Sequence, residues 1–177
     1  WKRLCSRLTT PIVEKATRSN GYQSYTQGVA GCQFAEVLVD PELGSVKVEK
    51  IVAIQDCGIP INRMACESQI IGAVIQGVSY ALLEERIVDH RYGKMLNANV
   101  DQYKIAGALD LPEIVPIVFD VAVGQNATST VGIGEPPAVP TAAAIANAVA
   151  DALGVRVYEL PLTPARVLAA LRGAEKK

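Results

Sequence analysis

Residues 29–54 read VAGCQFAEVLVDPELGSVKVEKIVAI, and this stretch decides the fold class. Val29 to Val39 alternates in part between apolar and polar residues. Asp40-Pro41-Glu42-Leu43-Gly44 is a turn signature, and the β-rich run Val46 to Ile54 follows at once. Two such runs joined by turn residues predict an antiparallel hairpin. Asp56-Cys57-Gly58-Ile59-Pro60 then ends the second strand in a loop.

Downstream of the hairpin the period changes. A helix is predicted over Met64 to Glu85, with Ile71, Val74, Ile75, Val78 and Leu82 on one face. Gln69, Gly72, Ala73, Gln76 and Tyr80 gather on the other, where a surface helix normally carries charge. This small, amide-bearing face either packs a second time against the fold or lets a backbone or ligand approach and hydrogen-bond. Asp89 to Lys94 reads as a turn between short strands, with the single His90 solvated in it. A loop over Asn97 to Asp110 carries Tyr103, Ile114 to Val123 is an apolar strand, and Gly124 to Gly134 is a polar loop. An Ala-rich helix is predicted from Thr141, a candidate N-cap, to Leu153, with Gly154 as its stop. Leu160-Pro161-Leu162-Thr163-Pro164 leads into a last short helix, Ala165 to Leu171. A hairpin, a further strand and several helices make an α+β fold, with a mixed sheet and helices packed on it.

Residues 1–27 are polar and irregular, with Ser19-Asn20-Gly21 as a breaker, and read as a linker or the exposed end of an upstream domain. Residues 28–177 form the folded portion. The opening Trp1-Lys2-Arg3-Leu4 lacks Met and shows no signal-peptide pattern, so the sequence reads as part of a longer protein.

Half of the 177 residues are hydrophobic, enough for a real core, and the formal net charge is -1. Such a balance leaves no footprint for nucleic acid or an anionic membrane surface. No apolar run approaches the ~20 residues of a membrane span. Cys5, Cys32, Cys57 and Cys66 make no C-x-x-C pair, so they read as free, mostly buried thiols in a reducing, cytoplasmic compartment. Zinc or an iron–sulfur cluster needs tighter spacing.

The candidate site is Gly132-Ile133-Gly134-Glu135-Pro136-Pro137. Two glycines permit unusual backbone angles and close approach, Pro136 steers Glu135 away from α geometry, and the double proline stiffens the exit. A carboxylate on a rigid loop before a helix suits a general base. Composition alone favours the plainer alternative, a structural turn with an exposed acid. A dinucleotide fingerprint is set aside, because Pro137 stands where its third glycine is required.

Taken in order, several stretches resemble the C-terminal part of the molybdopterin-binding subunit of molybdenum hydroxylases, the xanthine dehydrogenase and aldehyde oxidase family. They are Phe34-Ala35-Glu36-Val37, Asp56-Cys57-Gly58 with Asn62, Gln69-Ile70 and Gln76-Gly77, and Leu83-Glu84-Glu85. Tyr103-Lys104-Ile105, Leu111-Pro112-Glu113, the Gly132 to Pro137 segment, Ala143 to Ala148, Gly154-Val155-Arg156 and Glu159-Leu160-Pro161 follow. The match covers about residues 25 to 172, and its specificity lies in the order and in the G-x-G-E-P-P segment.

The resemblance implies that Glu135 is the catalytic base of an oxidative hydroxylation. It would take a proton from a hydroxyl on molybdenum whose oxygen, ultimately from water, attacks an electron-poor carbon of an aldehyde or N-heterocycle. It further implies a molybdenum cofactor, as molybdopterin or its cytosine dinucleotide form, held in part by Gln69, Ile133 and Gly134, with Gln76 a weaker candidate. No metal ligand is implied in this chain. Implied partners are the remainder of the molybdopterin-binding subunit, [2Fe-2S] and FAD domains or subunits that take the electrons, and a small-molecule substrate; the complete complex could be a homodimer. Departures at Arg63, Ser68 and Ala127 to Val131 bear on substrate identity more than on reaction type. The upstream segments that hold most of the cofactor in the family are not among these residues, so the isolated chain is expected to be inactive. The competing expectation is a non-catalytic assembly or binding module that retains the fold.

Overall fold

The computed structural model describes residues 29–121 and 128–174, together with Val13 and Lys15. Most of the expected linker, Cys5, and part of the Gly124 to Gly134 loop therefore lie outside the described residues.

The predicted hairpin forms. Strands β1 (Gly31–Asp40) and β2 (Ser45–Asp56) pair antiparallel. The Asp40 carboxylate accepts from the amides of Glu42 at 2.9 Å and Leu43 at 3.0 Å, and Gly44 turns the corner at φ 70°. An aspartate that hydrogen-bonds the backbone ahead of it, followed by a residue free to take positive φ, is what such a turn needs. The register shifts between Glu36 and Val37, where Glu36 pairs with Lys50 but Val37 pairs with Val48. That bulge brings Val48 and Ile51, three residues apart, to the same buried face.

Beyond the hairpin come helix α1 (Arg63–Leu82), a small antiparallel pair β3 (Val88–Asp89) and β4 (Lys94–Met95), and a 3-10 turn at Ala108–Asp110. Strand β5 (Glu113–Phe119) runs parallel to β2, so the sheet order is β1-β2-β5 and the sheet is mixed, as expected. A second 3-10 turn, Pro136–Ala138, precedes helix α2 (Thr141–Leu153), and helix α3 (Pro164–Ala174) closes the chain. His90 is exposed in the turn between β3 and β4.

Helices α1 and α2 lie on one face of the sheet and bury it. Ile51, Ala53 and Val118 of the strands meet Ile70, Val74, Val78 and Ala81 of α1 and Ile145 and Val149 of α2. Burial of this kind, at about 25 cal/mol per Å² of apolar surface, is the main force holding the layers together.

Helix α1 departs from expectation in two ways. It ends at Leu82 rather than Glu85, because the amides of Leu83 and Glu84 both turn back onto the Ser79 carbonyl, at 2.8 and 3.0 Å. Glu84 then accepts from the Tyr103 hydroxyl and Glu85 from Arg166. The buried face is also rotated. Ile70, Ala73 and Gly77 are buried, while Ile71, Ile75 and Leu82 are only half-buried. The reason is that two partners share the helix, the sheet on one side and α2 with its preceding turn on the other. Gly77 is where α2 comes closest, since a Cβ there would occupy the space of the Thr141 side chain. Thr141 is accordingly the first helical residue, fully buried, and not the N-cap, a position taken by Pro140. Gly154 ends α2 in the left-handed conformation, as expected.

Candidate functional site

The site is assembled where the end of β2, the start of α1 and the glycine-containing segment meet. Gly58 takes φ 63°, and a Cβ there would collide with the Ser129 carbonyl. Its absence lets two short backbone bonds form, Ile59 N–H to Ser129 O and Val131 N–H to Cys57 O, both at 2.9 Å. Asp56 supports the bend by accepting from the Gly58 amide at 2.8 Å. Asn62 then caps α1, its side chain accepting from the Ala65 amide at 3.0 Å.

Those links bring residues 130–134 alongside the first turns of α1. One turn on, Gln69 donates from Nε2 to the Gly134 carbonyl at 2.8 Å. The structure thus joins Gln69, Ile133, Gly134 and Glu135 on one ledge. Gln76 is exposed, two helical turns further along α1. The ledge borders a groove of about 410 Å³, whose wall includes Cys57, Asn62, Cys66, Gln69, Thr130 and Ile133 and no charged side chain.

Glu135 occupies the N-cap position of the Pro136–Ala138 turn with φ -89° and ψ -11°. The expected exclusion from helical geometry is therefore not observed. A following proline disfavours this region without forbidding it, and the turn is closed by the Ala138 amide donating to the Glu135 carbonyl at 2.8 Å. The carboxylate makes no capping bond and is exposed. Gly132 and Gly134 have ordinary negative φ, with nothing within 4 Å of where a Cβ would stand. The strain expected of these glycines is absent; what they present is bare peptide facing open space.

Three groups that hold the ledge were not singled out from sequence for that purpose. The Tyr80 hydroxyl donates to Ala138 O at 2.6 Å, Gln33 Nε2 donates to Pro137 O at 2.5 Å, and Thr141 Oγ1 reaches Pro137 O at 3.4 Å. Tyr80 belongs to the small face of α1, of which Ala73 and Tyr80 pack against the fold while Gly72 and Gln76 are exposed. A usable signal for Gln33 was its register, an amide among the inward-facing positions of β1.

The cysteines are free among the described residues, but not all are buried, because Cys32 lies on the exposed side of β1. Burial pushes the Cys57 thiol up to about 11, and the neighbouring Cys66 adds to the shift, so Cys57 is a neutral thiol at physiological pH. Among the described residues no three His, Cys, Asp or Glu side chains stand together as a metal site. Nor is any helix there long and apolar enough to cross a membrane. Uncharged amides, bare peptides and a shallow groove fit the edge of a pterin-like heterocycle, which is held by neutral hydrogen bonds rather than by metal ligands.

Comparison with known proteins agrees with this chemistry. Residues 6–112 match the family described as the molybdopterin cofactor-binding domain. The chain is 38% identical over 137 residues to the xanthine dehydrogenase molybdenum-binding subunit of Escherichia coli O157:H7, covering 77% of this chain and 18% of that protein. It is 35% identical over 164 residues to the aldehyde oxidoreductase molybdenum-binding subunit PaoC of Escherichia coli K12, covering 92% and 22%. The crystal structure of quinoline 2-oxidoreductase from Pseudomonas putida 86 superimposes with a TM-score of 0.72 at 30% identity, covering 78% of this chain and 18% of that one. The chain therefore spans only about a fifth of the length of these relatives. With that match over more than half of its residues, the chain belongs to the molybdopterin cofactor-binding domain family, found in the molybdenum-binding subunits of xanthine dehydrogenases and aldehyde oxidoreductases.

Proposed function

We propose that this chain is the C-terminal portion of a molybdenum hydroxylase subunit in which Glu135 is the general base and Gln69, Ile133 and Gly134 hold one edge of the molybdenum cofactor. The observation that carries this reading is the Gln69 bond to Gly134 O at 2.8 Å, which couples the helix amide to the residue before Glu135. When bound, the cofactor would supply Lewis acidity and electron capacity. The chain's own residues do the rest. The peptides of Ile133 and Gly134, free of side-chain obstruction at the glycine, meet the cofactor's polar edge, and Gln69 fixes the spacing between helix and loop. Glu135 removes the proton of the water-derived nucleophile as it attacks an electron-poor carbon. An aldehyde or N-heterocycle fits this reading, as the names of the aldehyde oxidoreductase and quinoline oxidoreductase relatives illustrate.

The remainder of the subunit supplies the opposite wall of the site, which accounts for an exposed Glu135 in a chain one-fifth the relatives' length. Partner domains or subunits carrying [2Fe-2S] and FAD would take the electrons, and the free thiols among the described residues fit a cytoplasmic setting. In the complete, cofactor-loaded protein, Glu135→Gln is expected to lower kcat/KM by about 10²- to 10⁴-fold, the contribution typical of a positioned general base. Activity within tenfold of the parent, at equal molybdenum content, refutes the role.

A second reading, a non-catalytic assembly or binding module, draws support from the apolar face of the sheet that no described residue covers, where Phe34 is 64% and Phe119 55% exposed. Metal analysis of natively purified protein separates the two. Stoichiometric molybdenum in a larger or partnered chain supports the enzyme, and a stable metal-free 18.8 kDa monomer supports the module.

A further inference from the structure

The turn that follows Glu135 is gripped from two directions. Its Ala138 carbonyl accepts from the Tyr80 hydroxyl of α1 at 2.6 Å, and its Pro137 carbonyl accepts from Gln33 Nε2 of β1 at 2.5 Å. On the other side of Glu135, Gly134 O is held by Gln69. The segment from Gly134 to Ala138 is thus tied to a helix at both ends and to a strand near its exit. Pro136 and Pro137 carry no N–H, so two of its peptides have no donor with which to anchor themselves. Beyond the turn's own bonds from the Ala138 and Val139 amides, side-chain donors to its carbonyls tie it to the rest of the fold.

Gln33 is the more telling of the two. Its Oε1 is buried with no hydrogen-bond partner among the described residues, while its Nε2 serves Pro137. A buried acceptor left unsatisfied normally costs about 1–3 kcal/mol. An apolar side chain at this inward-facing position would avoid that cost but would leave the buried Pro137 carbonyl with only the Thr141 hydroxyl at 3.4 Å, so what the amide contributes is the hold on the turn.

We propose that Tyr80 and Gln33 are positioning residues that set where the Glu135 carboxylate stands, by fixing the two carbonyls downstream of it. Neither touches the reacting atoms. They act through the Ala138 N–H to Glu135 O bond, which closes the turn at 2.8 Å. The inference rests on the proposed role of Glu135, and the test keeps the two apart.

Tyr80→Phe and Gln33→Leu are made in the complete molybdenum-loaded protein beside Glu135→Gln. Each positioning variant is expected to lower kcat roughly 3- to 30-fold, since small misplacements of a catalytic group are costly. It should also shift the acidic limb of the kcat–pH profile, with KM and molybdenum content within about twofold. Hydrogen exchange at the Ala138 amide should rise in both variants, while Val74 and Val78 in the core of α1 keep their protection. An unmoved pH profile with unchanged Ala138 exchange in both variants overturns the inference, as does faster exchange spread evenly through α1. An active Glu135→Gln enzyme removes the base reading and this inference with it; an inactive one with unaffected positioning variants removes this inference alone.

Discussion

The two faces of the three-stranded sheet are built from similar residues and meet different fates. One carries Val48, Ile51, Ala53 and Val118 under α1 and α2, each no more than 4% exposed. The other carries Phe34, Leu38, Ile117 and Phe119 with 40% to 64% of their surface open, and Val52 and Ile54 beside them. No described element covers it, and both edge strands, β1 and β5, pair with β2 alone among the described residues. Parallel pairing is normally found in sheets protected on both faces, and contiguous apolar patches on soluble proteins mark places where something docks. The contrast teaches that the described residues are stabilised through one face of the sheet, while the other carries apolar side chains that none of them covers.

The contrast can be broken most forcefully from the covered side. Ile51→Ala, which empties a fully buried position between strand and helices, is expected to cost about 2–5 kcal/mol. Chemical denaturation of the chain measures it, and a cost below about 1 kcal/mol would mean the helical layer is not what holds the sheet.

The cover itself is tested at its closest approach. Gly77→Ala drives a methyl group into Thr141 and is expected to destabilise by about 1–3 kcal/mol through overpacking. Thr141→Ser in the same chain should recover part of the loss, because it removes one of the atoms the new Cβ meets; the double-mutant cycle reads the coupling.

The smallest effects belong to the open face. Phe34→Ser and Phe119→Ser should each change the stability of the chain alone by no more than about 0.5 kcal/mol. In the complete subunit the same substitutions should cost visibly more. Cys32 sharpens this point without a mutation, because it lies on the open face while Cys57 is buried with a neutral thiol. A maleimide should label Cys32 long before Cys57 in this chain. Rapid labelling of Cys32 in the complete protein as well would show the face to be free there too.

Much of the fold was legible from local chemistry. The hairpin followed from alternation around Asp40-Pro41-Glu42-Leu43-Gly44, and the end of α2 from Gly154, because turn and cap residues act on their immediate neighbours. The bulge was not legible, since it depends on which of Val48, Lys50 and Ile51 the core accepts. Nor was the rotation of α1, because a single helical stripe presumes one partner and α1 has two. The order of short motifs pointed to the family, and it also explains residues that do no chemistry. Glu84, Glu85 and Glu159 answer Tyr103 and Arg166 in bonds that lock the loops behind the helix.

By itself, the sequence determined the element types, the mixed architecture and the family resemblance, and it nominated Glu135 as a candidate base, because propensity, turn chemistry and motif order are properties of neighbours along the chain. Only the tertiary structure decided that Gln69 grips Gly134, that Tyr80 and Gln33 grip the turn after Glu135, and that one face of the sheet is left open by the described residues. Those are contacts between residues 58 to 104 positions apart, and close packing, which no local rule encodes, selects them.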